Sequence, residues 1–105
     1  MTTLSELMAA AEQADSDYRV AVVGAANARA DYERAYYRAL ANAAGTSQSA
    51  RQAIAEAEVV DFLIERHLAE AQEKAARTHV QVLLGLLVAQ QSINKFAGVQ
   101  DGGDW

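Results

Sequence analysis

His67 and His79 are the only histidines, and they stand twelve residues apart. On a helix that spacing turns them about 120° from each other, so one chain cannot close both on a single metal ion. Carboxylate bundles that hold two metals use inward-facing Glu-x-x-His pairs, yet no glutamate precedes either histidine by three positions. The bland reading is a pair of partly exposed interfacial histidines. The carboxylates Glu56, Glu58, Asp61, Glu65, Glu70 and Glu73 are interspersed with Arg66, Lys74 and Arg77. Glu70 before Lys74 and Glu73 before Arg77 have the favourable order for pairs one helical turn apart, which marks a solvated helix face. A general acid needs a pocket that perturbs its pKa, and a narrow pair of helices supplies none. The chain has no cysteine, which removes thiol nucleophiles, disulfides and thiolate zinc sites. Serines and threonines cluster where helices are capped. No nucleophile, base and oxyanion donor converge, so the sequence points away from an enzyme and calls for no cofactor or metal.

Arg29, Tyr32, Arg34, Tyr36, Tyr37 and Arg38 interleave basic and aromatic side chains. Aromatic rings can stack on unpaired bases while arginines neutralise phosphates, so contact with single-stranded nucleic acid is a legitimate reading. Helical spacing places Tyr32 and Tyr36 along an apolar seam, and Asp31 and Glu33 dilute the charge. Arg34, Tyr37 and Arg38 are left as the side chains that would make such a contact.

These residues are carried by helices. The 105-residue chain has a net charge of -5, no proline, and alanine at nearly a quarter of its positions. Alanine is the best helix former and proline the strongest breaker, so an all-α protein follows. The acidic balance also disfavours a general phosphate-backbone binder. Thr3 with Glu6 forms a capping box ahead of Leu4, Leu7, Ala11, Ala14, Tyr18, Ala21, Ala25, Ala28, Tyr32, Ala35 and Ala39. Their spacings of three and four make an a/d seam, predicting a first helix over residues 3–44 with coiled-coil-like packing. Gly45 suits the left-handed position that ends a helix, Thr46-Ser47-Gln48-Ser49 then offers several N-caps, and Ser49 with Gln52 forms a second capping box. The turn is placed at 45–48 and a second helix at 49–97, before Gly98. Lys95 then complements that helix's C-terminal dipole.

So short a link makes the helices antiparallel neighbours, and residues 1–98 are expected to form one two-helix hairpin. Equal rise on both helices pairs positions whose numbers sum to about 91. Leu4, Leu7 and Met8 then meet Val80, Leu83, Leu84 and Leu87. Tyr32 and Tyr36 fall near Ala57, Val60 and Ile64, and Arg29 falls beside Asp61 and Glu65 as an interhelical ion pair. The stretch from Val82 to Ala89 is apolar on all sides, although a hairpin buries only one stripe of it. It would span about 12 Å as a helix, against roughly 30 Å of bilayer hydrocarbon, so it is too short for a membrane span. A fold-back third helix would need Gly85 to break the chain. Self-association needs fewer assumptions, and Leu83, Leu84, Leu86, Leu87, Ile93 and Phe96 are the expected interface of a dimeric bundle. Residues 99–105 read as a flexible acidic tail whose Asp101, Asp104 and Trp105 could dock a partner.

The Tyr/Ala/Arg-rich first helix, the Ala44-Gly45-Thr46 turn, Arg51-Gln52-Ala53 and the Leu87, Gln91-Ser92, Lys95 segment carry a family likeness. Over roughly residues 18–97 they resemble small Ala-rich helical accessory proteins of tailed bacteriophages of high-GC bacteria. That resemblance implies a non-enzymatic accessory role and transfers no catalytic residue. The tail is similar to the tip of bacterial single-strand DNA-binding proteins, without their denser acidic run and Pro-Phe ending. Length, acidity and topology also resemble the helical hairpins of actinobacterial type VII secretion, whose Trp-x-Gly turn is replaced here by Ala44-Gly45-Thr46. The expected protein is therefore a self-associating helical interaction protein with an unidentified protein partner. An accessory factor for DNA replication or recombination is the alternative. Met1 to Glu6 lacks the basic and apolar regions of a signal peptide, so a cytoplasmic location, in a bacterial host under the phage likeness, is expected.

Overall fold

A computed structural model describes residues 3–45 and 47–101, with side chains described as far as residue 96. Three helices follow in order: α1 (Leu4–Asn42), α2 (Gln48–Glu58) and α3 (Val60–Asp101). There is no strand among the described residues, and no helix among them is long and apolar enough to cross a membrane.

The start of α1 is fixed as the sequence suggests: Thr3 Oγ1 accepts a hydrogen bond from the Glu6 amide at 3.1 Å. Its other end departs from expectation. The helix stops at Asn42 instead of residue 44, and no described glycine has a positive φ. Gly45 therefore does not act through the left-handed conformation. A Cβ there would lie 3.2 Å from Arg51 Cγ, so a larger residue would press on that side chain beside the first turn of α2. Arg51 donates from Nη2 to the Leu40 carbonyl at 3.1 Å, satisfying one of the acceptors that a helix end leaves open. Ser47, not Ser49, caps α2, its hydroxyl accepting from the Ala50 amide at 3.1 Å.

The single second helix expected over 49–97 is divided at Val59, whose φ of -106° and ψ of 16° are not helical. Neither proline nor glycine causes this. Ala55 and Val59 are buried and Leu63 is half-buried, two successive steps of four residues. A straight helix would carry the third of these about 80° round from the first. The departure at Val59 is local: the Val59 amide still donates to the Ala55 carbonyl at 3.2 Å and the Leu63 amide to the Val59 carbonyl at 3.0 Å. At Gly24 and Gly85, by contrast, α1 and α3 run unbroken, which removes the fold-back helix at Gly85. The backbone of α3 also continues past Gly98, so the tail expected from residue 99 begins as helix through Asp101. Lys95 then lies outside the last turn, which carries no basic residue.

The chain forms two compact units, Met1–Arg19 with Ala75–Trp105, and Val20–Lys74. In the first, Leu7, Ala14 and Leu83 form the core, with Ala11, Val80 and Leu87 packed against it. In the second, Ala39, Ala55 and Val59 form the core beneath Tyr32, Ala35, Tyr36 and Leu40. Within each unit the pairing is antiparallel: Leu40 meets Arg51 and Arg29 meets Glu70, while Leu7 packs with Leu83 and Tyr18 lies under Arg77. All eleven seam positions of α1 are buried or half-buried. Most are alanine, so the helices approach closely and the cores are thin.

Candidate functional site

The apolar residues of α3 divide by direction into those packed within the chain and those left exposed. Leu83 is only 8% exposed and sits in the core with Leu7 and Ala14, and Leu87 packs against that core. Both were expected at a dimer interface, and both are instead committed to packing within the chain, because they follow Val80 at steps of three and four toward α1. Leu84, Leu86, Ile93 and Phe96 are exposed. Leu86, Ile93 and Phe96 share an arc of about 80° with Val82 on the side of α3 opposite Val80 and Leu87. Leu84 lies apart from them. It borders a groove of about 310 Å³ with Met8, Ala11, Val80 and Leu87, edged by Glu12 and Asp15.

Arg29 does form an interhelical ion pair, but with different partners. Its Nε lies 3.1 Å from Glu70 Oε2 and its Nη2 3.2 Å from Glu73 Oε2, whereas Asp61 and Glu65 are exposed. Helical side chains lean toward the N-terminus of their own helix. In an antiparallel pair an arginine on α1 therefore reaches toward higher-numbered residues of α3, and the acids on α3 reach back to meet it. A register drawn between Cα positions misses that lean. Arg66 approaches the other oxygen of Glu70 at 3.3 Å, and its guanidinium lies 5.3 Å from the centre of the Tyr32 ring. The hydrogen bond from Arg29, opposed by burial, holds the Glu70 carboxyl below the usual carboxylate range, and Glu70 raises the arginine in return. Each acid faces a guanidinium, so the cluster ties the two sides of the second unit together. Glu70 and Glu73, read from sequence as members of surface pairs, would have been found by applying the lean to the register.

The basic and aromatic stretch divides as its spacing suggests. Tyr32 and Tyr36 are half-buried and stacked with ring centres 6.1 Å apart. Arg34, Tyr37 and Arg38 face solvent. Arg34 is paired with Asp31 on its own helix, and the Tyr36 and Tyr37 rings meet edge to face with centres 5.5 Å apart. Asp104 and Trp105, named for the docking tail, lie outside the described residues, as does the Asp101 side chain. His67 and His79 are exposed. Among the described residues no three His, Cys, Asp or Glu side chains gather where they could hold a metal ion. Sequence reasoning missed the Met8, Glu12 and Asp15 edge of the groove. Its signal was the absence of any Lys or Arg between Leu4 and Tyr18, beside an exposed methionine. No protein-family model, curated protein or solved structure matches the chain.

Proposed function

We propose that this chain is a non-enzymatic helical interaction protein, an antiparallel hairpin that self-associates through the outward face of α3 into a dimeric bundle. The observation that carries the reading is the exposure of Leu86, Ile93 and Phe96, at 49%, 61% and 64%, on one side of one helix. Full burial of such side chains is worth about 1.5–3 kcal/mol each, so half-exposed residues in a row leave several kcal/mol for a partner to collect. A two-fold axis places the same face of a second copy against them, and two hairpins joined there make a four-helix arrangement. The antiparallel pairing inside each unit supports the hairpin. The phage-accessory setting comes from the resemblance of residues 18–97 and stands as part of the proposal, with a bacterial cytoplasm as the expected location.

Sedimentation equilibrium at tens of micromolar tests the dimer. The parent chain should sediment as a dimer, and Leu86→Lys with Ile93→Lys as a monomer of nearly unchanged helix content. A monomeric parent sinks the reading. The alternative, an accessory factor that touches single-stranded DNA, is favoured by one observation: Arg34, Tyr37 and Arg38 all face solvent on one end of α1. Binding of a labelled oligonucleotide that weakens steeply with salt would support it.

A further inference from the structure

We propose that the groove between α1 and α3 in the first unit docks a basic amphipathic helix from another protein, a partner class that rests on the interaction-protein reading above. Its floor is apolar and adaptable: Met8, Ala11, Val80, Leu84 and Leu87. Met8 is half-exposed, and an unbranched thioether moulds to different anchor side chains. A second hollow, lined by Leu4, Ser5 and Ala9, shares Met8 and Glu12 with the first. Two adjoining hollows along one helix suit an elongated occupant with apolar anchors one turn apart, the helix-in-groove mode.

Charge selects the sign of that occupant. Glu12 and Asp15 stand at the edge of the groove, and no Lys or Arg lies between Leu4 and Tyr18. Asp15 is paired with Arg19 at 2.9 Å, but both side chains are well exposed, and such pairs exchange partners at little cost. Glu12 makes no ion pair among the described residues. An acidic occupant would set like charges against this rim, whereas flanking lysines or arginines complement it. The groove faces away from Leu86, Ile93 and Phe96, so a docked helix and a second copy of the chain need not compete.

The probe is a fluorescein-labelled amphipathic peptide of about 18 residues, built from leucine at helical spacing and lysine elsewhere, beside an analogue with glutamate for lysine. Fluorescence anisotropy should show the lysine peptide binding at least about tenfold more tightly than the glutamate peptide, a difference of about 1.4 kcal/mol. Glu12→Lys with Asp15→Lys should weaken it by about tenfold or more, while the equal charge change Glu33→Lys with Glu56→Lys should leave it within about twofold. Leu84→Ser should weaken binding of the lysine peptide while leaving helix content, followed by circular dichroism, and sedimentation unchanged. Equal loss in the two charge variants would mean a response to net charge, and no binding of the lysine peptide would mean no such site. Either result overturns the proposal. A change in sedimentation on Leu84→Ser would place a second copy in the groove, which also overturns it. Dimerisation through Leu86 and Ile93 is measured separately, so that reading can fail while this one stands.

Discussion

Ala55 is fully buried in one core with Ala39 and Val59, against which Tyr32 and Tyr36 pack. Ala55→Leu adds three carbons at that contact. Given space, those carbons would stabilise the fold by about 2.4 kcal/mol at about 0.8 kcal/mol each. Forced into a closed alanine contact they strain rotamers and push the helices apart, at a cost of about 1–3 kcal/mol. The two arguments differ in sign, which makes the substitution informative. The leucine has nearly the helix propensity of alanine, so propensity contributes only a few tenths of a kcal/mol. Ala57→Leu, exposed on the same helix, is the control and should stay within about 0.5 kcal/mol of the parent. Urea unfolding followed by far-ultraviolet circular dichroism at one fixed protein concentration reads the difference. A loss of about 2 kcal/mol lowers the midpoint by roughly 1–2 M and the melting temperature by roughly 8–16 °C. A midpoint equal to or above that of the parent would refute the close alanine contact between α1 and α2.

The ion-pair cluster gives a pH prediction. Glu70 is held below its ordinary value of 4.5 in the folded chain, so its contribution is complete above that value and is lost as the pH falls through its lowered folded pKa. Glu70→Gln should therefore flatten the loss of stability below about pH 4.5, and an unchanged acid profile would reject the pairing. In double-mutant cycles with Arg29→Ala, Glu70→Gln and Glu73→Gln should show coupling while Asp61→Asn and Glu65→Gln should show none. Arg51→Ala removes the bond to the Leu40 carbonyl at the end of α1 and should cost about 0.5–1.5 kcal/mol, with faster amide exchange confined to residues near 40–45. For the DNA alternative, replacing Arg34, Tyr37 and Arg38 together by alanine should abolish oligonucleotide binding without unfolding the chain, and unchanged affinity would remove that reading.

Local information decided the helices. The Thr3 cap, the absence of proline and the spacing of the α1 seam are properties of short windows, and a helix repeats its geometry every few residues, so eleven positions could be assigned to one face from sequence alone. The meeting of Leu7 with Leu83 followed from equal rise on two antiparallel helices. What the tertiary structure decided lies where two elements compete for one residue. Leu83, Leu84, Leu86 and Leu87 are chemically alike, and only the direction of α1 sorts two into packing, one to the groove and one to the outside. Val59 departs from helical geometry with no proline or glycine beside it, at a residue buried in the core with Ala39 and Ala55. Ser47 and Ser49 are both cap-forming residues in the sequence, and only the folded chain shows the extended backbone at Ser47, with its hydroxyl accepting from the Ala50 amide. Arg29 found acids two turns from those expected, since a side chain's reach is set by its lean and length while a sequence register locates only its Cα.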